Sequence, residues 1–95
     1  MIRVTGLLTC AGKADAETVA RLLPEHIRLS RKEPGCLQFS VVPTSDPLVW
    51  SLDETFTDRA AFEAHQARTR ASDWFVATSH LQRDFRVEDI GSPHP

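Results

Sequence analysis

The sequence predicts an α+β domain in the order β-α-β-β-α-β, with both helices on one face of a four-stranded antiparallel sheet, the ferredoxin-like arrangement. Three observations predict it. Strand-like alternation recurs in four segments, two intervening stretches carry apolar residues at helical spacing, and only a turn-forming run divides the middle strands. The 95 residues suffice for one domain, read as residues 1–90 with a disordered tail over 91–95. A chain this short buries only about 60 to 65% of the surface its unfolded form exposes, so a partner subunit would help it.

Residues 2 to 11 place Ile2, Val4, Leu8 and Cys10 at alternate positions, with Gly6 between them as a candidate bulge. Asp15 then stands as an N-cap, and Val19, Leu22, Leu23, His26, Ile27 and Ser30 follow on one helical face. Pro24 removes the hydrogen bond to the Ala20 carbonyl, which predicts a kink or a restart. The helix ends by Glu33, because Pro34 pushes its predecessor out of the helical region and Gly35 accepts a positive φ. Residues 36 to 43 and 48 to 56 are strands divided by the run from Pro43 to Pro47. Asp58 caps a second helix with Ala61, Phe62 and His65 on one face. Ser72 or Asp73 starts a further helical segment that turns Trp74, Phe75, Thr78 and Leu81 inward. Arg83 to Ile90 alternates once more around Phe85 and Val87.

Apolar residues occur at both strand parities, Leu7 beside Leu8, Val41 beside Val42 and Val49 beside Trp50, which a sheet with one solvated face should not show. The expectation is a homodimer in which a second copy covers the helix-free face.

Composition excludes several function classes. Eleven Lys and Arg against 13 Asp and Glu leave no basic stripe for a phosphate backbone, so nucleic acid is not an expected partner. No segment reads as a secretory leader or a membrane span, and the expected location is the cytoplasm. Cys10 and Cys36 read as free thiols rather than a bridge. Neither lies in a Cys-x-x-Cys pair or near a His at ligand spacing, and no Gly-rich dinucleotide loop follows a strand, so no cofactor is expected.

Chemistry is expected where the third strand meets the second helix. Glu54 shares parity with Trp50 and Leu52, which points its carboxyl inward with them. His65 lies about two turns into the second helix on the face of Phe62, aimed at the sheet. A neighbouring carboxylate would orient such a His and raise its basicity, making the pair an acid-base unit. The same two residues equally serve to pin helix to sheet, and that alternative stays open. Trp50 and Trp74 are the pocket-wall candidates, since each indole face can stack on a planar substrate. Phe39, Leu52 and Phe62 accompany them, with the aromatic pair doubling as core. Arg83 stands either at the cavity mouth, holding a phenolate or carboxylate, or at a solvated strand end. His26, on the inner stripe of the first helix beside Pro24, reads as a satisfied core or boundary histidine with a place at the cavity as the alternative, and His80 and His94 read as surface or tail residues.

Two strings carry a family resemblance: Glu33-Pro34-Gly35-Cys36-Leu37, and the strand-to-helix junction running from Trp50 through Glu54 and Asp58 to His65. Over nearly its whole length the chain resembles the antibiotic biosynthesis monooxygenase family, small proteins that oxygenate phenols and quinols without a metal or flavin. The resemblance implies dimers whose sheets wrap into an α+β barrel. It also implies a cavity holding an acidic residue at the strand end and a His on the second helix, places that Glu54 and His65 match. Glu33 itself reads as a structural turn residue and family marker. The function so implied is cofactor-independent oxygenation of a small phenolic or quinol-type aromatic substrate, begun by deprotonation with His65 as base and Glu54 as its orienting partner. Relatives acting on aromatic polyketides rely on Asn, Trp and Tyr, and haem-degrading relatives pair the helix-two His with an Asn. This chain has no Asn and no Tyr, which leaves haem binding or degradation a minor alternative. The rival from another class is a non-enzymatic dimeric module that binds an aromatic metabolite or a protein partner. A closed, water-excluding cavity containing both Glu54 and His65 favours catalysis, and a filled core with His65 bonded directly to a backbone group favours the module.

Overall fold

Four strands and three helices follow one another as β1 (Ile2–Thr9), α1 (Lys13–Arg31), β2 (Cys36–Pro43), β3 (Val49–Phe56), α2 (Arg59–Arg70), α3 (Asp73–Thr78) and β4 (Gln82–Asp89). This is a computed structural model that describes residues 1–91, so the expected tail, Gly91 apart, and His94 lie outside the described residues. The sheet is antiparallel throughout, in the order β2-β3-β1-β4.

Pairing follows the alternation. Leu8 lies opposite Trp50, Val4 opposite Glu54, and Phe39 opposite Glu54 on its other side, which gathers all of them on one face. A slip of one residue would send this whole set to the other face. On the inner face Ile2, Leu8 and Phe56 are almost fully buried, against Val19 and Leu23 of α1, Phe62 of α2 and Trp74 of α3. The helix-free face keeps Leu7 and Val42 exposed and Val49 half-buried, amid Thr5, Ser51, Thr55 and an Arg3–Asp53 ion pair at 2.9 Å. Both cysteines are free, Cys10 buried and Cys36 half-buried. Among the described residues no helix is long and apolar enough to cross a membrane.

Three local expectations are corrected. Gly6 is not a bulge, since β1 pairs in continuous register on both sides; the irregularity lies in β2 between Cys36 and Gln38. Gly6 instead lets β4 approach, because a Cβ there would sit 2.2 Å from the Asp84 carbonyl oxygen and 2.8 Å from the Phe85 Cα. Asp15 is not the N-cap, since α1 begins two residues earlier with Gly12 in the cap position. Its carboxylate serves the first turn, accepting from the Ala11 N–H at 3.2 Å and meeting His80 at 3.0 Å. Finally, α1 does not restart at Pro24 but continues through it; the position is exposed, while Val19 and Leu23 before it and His26 and Ser30 after it are buried along one stripe. Packing on both sides of the missing hydrogen bond holds the helix together.

The two short helices start as the sequence requires. Asp58 accepts from the Ala61 N–H at 2.8 Å and Ser72 from the Phe75 N–H at 3.2 Å. Gly35, at φ 86°, lies where a Cβ would come within 2.6 Å of the Ala61 Cβ, so the turn after α1 packs directly under the first turn of α2. That contact brings Glu33 beneath His65.

Candidate active site

A cavity of about 310 Å³ lies between the inner face of the sheet and α2 and α3, with His26 of α1 on its wall. Of the residues nominated from sequence, Glu54, His65, Phe39, Leu52, Phe62, Trp74 and Arg83 all line it. Trp50 does not, and that expectation is corrected. It shares the inner face with Glu54 but lies four residues back along β3, ~13 Å away at strand rise. There it sits opposite Leu8 and Pro43 and belongs to the packed core. Parity selects a face, whereas the helices above decide which stretch of that face stays open.

The polar end of the cavity is organised around His65, which is buried. Its Nδ1 lies 2.6 Å from Oε1 of Glu33, and its Nε2 lies 3.8 Å from Oε1 of Glu54 and 3.5 Å from the Thr69 hydroxyl. The orienting contact expected of Glu54 therefore belongs to Glu33. Arg68 fixes Glu33 in turn: its Nε donates to Oε2 of Glu33 at 2.5 Å and its Nη2 to the Ser30 hydroxyl at 2.8 Å. Ser30 closes the chain by donating to the His26 carbonyl at 2.7 Å. A carboxylate on Nδ1 keeps the proton there and leaves the Nε2 lone pair facing Glu54 and the cavity. Burial holds the imidazole below its ordinary pKa, against the opposing pull of Glu33, so His65 is a neutral base at pH 7.

Glu54 is the opposite case. Burial foremost, then the charges of Glu33 and Asp53, push its carboxyl up to about 8. At neutral pH it is a carboxylic acid, able to donate a hydrogen bond to an oxygen in the cavity. The two groups first paired as base and orienter are thus a neutral base and a neutral acid facing each other across 3.8 Å.

Sequence reasoning missed one member and left a second open. Glu33 belongs to a turn whose Pro and Gly account for it structurally; its partner lies 32 residues away, beyond the reach of any local period. A buried helical His in need of a partner was the only available signal. For His26 the cavity alternative holds: it lines the cavity and is not a satisfied core histidine, because its Nδ1 is buried without a hydrogen-bond partner. Its ring stacks on Trp74 at 4.9 Å and meets Phe39 edge-on at 5.4 Å. Burial, then the positive charge of Arg68, pushes its pKa down to about 3, so this wall is neutral and aromatic. Arg83 is half-buried, donating to the Thr78 carbonyl at 2.6 Å and the Thr78 hydroxyl at 2.9 Å. Among the described residues no three His, Cys, Asp or Glu side chains are disposed to hold a metal ion.

The family model described as antibiotic biosynthesis monooxygenase matches residues 1–77. The chain belongs to the antibiotic biosynthesis monooxygenase family. Solved structures agree on the fold. A candidate antibiotic biosynthesis monooxygenase from Deinococcus radiodurans superposes with a TM-score of 0.77 at 21% identity, covering 100% of this chain and 97% of that one. A candidate member from Nitrosomonas europaea gives 0.78 at 19% identity, over 99% and 92% of the two chains. The Pseudomonas aeruginosa protein PA3566 gives 0.67 at 25%, over 92% and 88%. No functionally curated protein matches the sequence.

Proposed function

We propose that this family member is a cofactor-independent monooxygenase acting on a small phenolic or quinol-type aromatic compound. One observation carries the reading: a neutral His65, oriented by Glu33, and a buried Glu54 face each other across 3.8 Å at the end of an aromatic-walled cavity. A phenolic hydroxyl seated beside them accepts from the Glu54 carboxyl and donates its proton to His65 Nε2. As the proton leaves, the growing negative charge on oxygen stays within reach of the Glu54 donor, which binds it more strongly than it bound the neutral phenol. Glu33 then stabilises the imidazolium so formed, as a carboxylate on the far nitrogen does in hydrolytic triads.

The phenolate, held among Phe39, Trp74 and His26, passes one electron to O2. Superoxide and the aryloxyl radical combine at a ring carbon. The peroxide takes back the proton held by His65, its O–O bond breaks with loss of the ring C–H proton, and water departs. Net, a phenol and O2 give a quinone and water, so one oxygen atom enters the ring and O2 is the only oxidant.

Oxygen uptake with a panel of phenols and quinols tests the proposal. Uptake by the wild-type protein that is abolished in His65→Gln supports it. If no compound drives uptake and His65→Ala binds the same ligands as the wild type, the non-enzymatic binding module is the correct reading.

The protein is further proposed to act as a homodimer in the cytoplasm. Exposed Leu7 and Val42 and half-buried Val49 on the helix-free face suit a second copy, and unbridged thiols suit a reducing compartment. Sedimentation at micromolar concentration reads the dimer directly, and a monomeric mass there would refute it.

A further inference from the structure

We propose that the cavity selects an anionic substrate: a hydroxy-aromatic compound bearing a carboxylate, its charge set on Arg83 with Arg70 at the mouth and its hydroxyl at Glu54 and His65. This rests on the reading of Glu54 and His65 as the hydroxyl end of the site.

The charges around the cavity do not balance. Its ionisable lining consists of His26, Glu54, His65, Arg70 and Arg83. Both histidines are neutral, and Glu54 keeps its proton up to about pH 8. Two guanidiniums therefore face a space that no ionised carboxylate lines. Glu33, the nearby carboxylate, is already taken by His65 and Arg68.

Arg83 is also held ready. Nη1 donates to the Thr78 and Leu81 carbonyls and one Nη2 proton goes to the Thr78 hydroxyl. That leaves Nε–H and the second Nη2 proton, the edge of the guanidinium that grips a carboxylate with two parallel hydrogen bonds. Among the described residues no carboxylate forms a salt bridge with it, although it is half-buried. A cation fixed in place and partly stripped of water, but given no counter-charge, supplies a binding energy that an incoming anion collects. The flanking walls, Trp74, Phe75, Phe85 and Val87, are apolar and suit the single charge of a carboxylate better than the double charge of a phosphate.

Spacing sets the shape. Arg83 lies opposite Leu8 and Glu54 opposite Val4, so the two ends are two strands and four residues apart, ~16 Å between Cα atoms. Both side chains reach inward across part of that distance. The remainder suits one ring with a short arm ending in the acid.

Binding measured without oxygen, so that no turnover intervenes, tests the proposal with 3-(2,5-dihydroxyphenyl)propanoate and its carboxamide, two quinols of equal size. The wild-type protein is expected to bind the acid at least about tenfold more tightly at pH 7 and low salt. That preference should shrink with added salt and vanish in Arg83→Gln, which keeps a donor for Thr78. Equal binding of acid and amide by the wild type overturns the anion site while leaving the hydroxyl end standing. Tighter binding of the acid that survives in both Arg83→Gln and Arg70→Gln overturns it too. If neither compound binds, the hydroxyl end fails and the anion site fails with it. The wild-type comparison decides the matter even if Arg83→Gln does not fold.

Discussion

The two ends of the cavity are built differently. At the inner end Glu33, His65, Arg68 and Ser30 hold one another in an unbroken chain of contacts reaching back to the α1 backbone. At the β4 end Phe85 and Val87 line the same cavity from the helix side of the sheet, yet stand 39% and 45% exposed, and Arg70 is exposed beside them. One end fixes geometry and the other leaves surface for a ligand to cover. Proton transfer needs placement to a fraction of an ångström, whereas apolar contact tolerates adjustment.

Substitutions should separate the two ends by the size and kind of their effects. His65→Gln should lower quinol-dependent oxygen uptake by about 10²- to 10⁴-fold, the usual worth of a general base. Phe85→Ala should cost less than about tenfold, and chiefly in KM. Comparable losses in kcat from both would erase the distinction.

Stability should divide in the same way. Glu33→Gln leaves His65 and Arg68 without their shared carboxylate and should cost about 2–4 kcal/mol in urea unfolding. Arg70→Gln at the exposed end should stay within about 0.5 kcal/mol.

A third test uses pH. The Glu54 carboxyl, raised to about 8 from 4.5, keeps when folded a proton that the unfolded chain has released, so its contribution is full below 4.5 and lost as pH rises towards 8. His26, lowered to about 3 from 6.5, refuses a proton that the unfolded chain accepts, so its contribution is full above 6.5 and lost as pH falls towards 3. Between 4.5 and 6.5 these slopes oppose each other, and His65, also held below its ordinary pKa, adds to the rising side just below 6.5. Above 6.5 Glu54 acts alone, and stability should fall by about 1.4 kcal/mol per pH unit until its carboxyl ionises. Unfolding curves at pH 6 and pH 8 for wild type and Glu54→Gln check this. A wild-type decline that persists unchanged in Glu54→Gln would mean that Glu54 is not the titrating group.

A smaller effect than that of Glu33→Gln should come from the cap under the site. Ser72→Ala removes the side-chain acceptor at the start of α3 and should cost about 1 kcal/mol, read as a lowered melting temperature with KM little changed.

Much of this arrangement was legible in the sequence because period 2 and period 3.6 assign faces. Alternation put Glu54 and Leu52 inward, and the stripe on α2 put Phe62 and His65 over them. Alternation could not say that Trp50 lies under packed structure while Leu52 and Glu54 lie under open space, since that depends on where α2 and α3 cross the sheet. Nor could it pair Glu33 with His65, because the choice between two nearby carboxylates is made by the Gly35–Ala61 contact, a tertiary event. The same holds for Gly6, where a glycine in a strand signalled an irregularity but not which kind.

The strand order carries a consequence for how the chain assembles. β1 is synthesised first and ends in the middle of the sheet, yet both of its neighbours come later, β3 from residue 49 and β4 from residue 82. Until Gln82–Asp89 docks across Gly6, one side of β1 is an open edge with Val4 and Leu8 incompletely covered. Closure is therefore a late, long-range event of the kind that slows folding and exposes chains to self-association. A side chain at Gly6 would be felt there first, as a slower final step and a greater loss of newly made protein to aggregates.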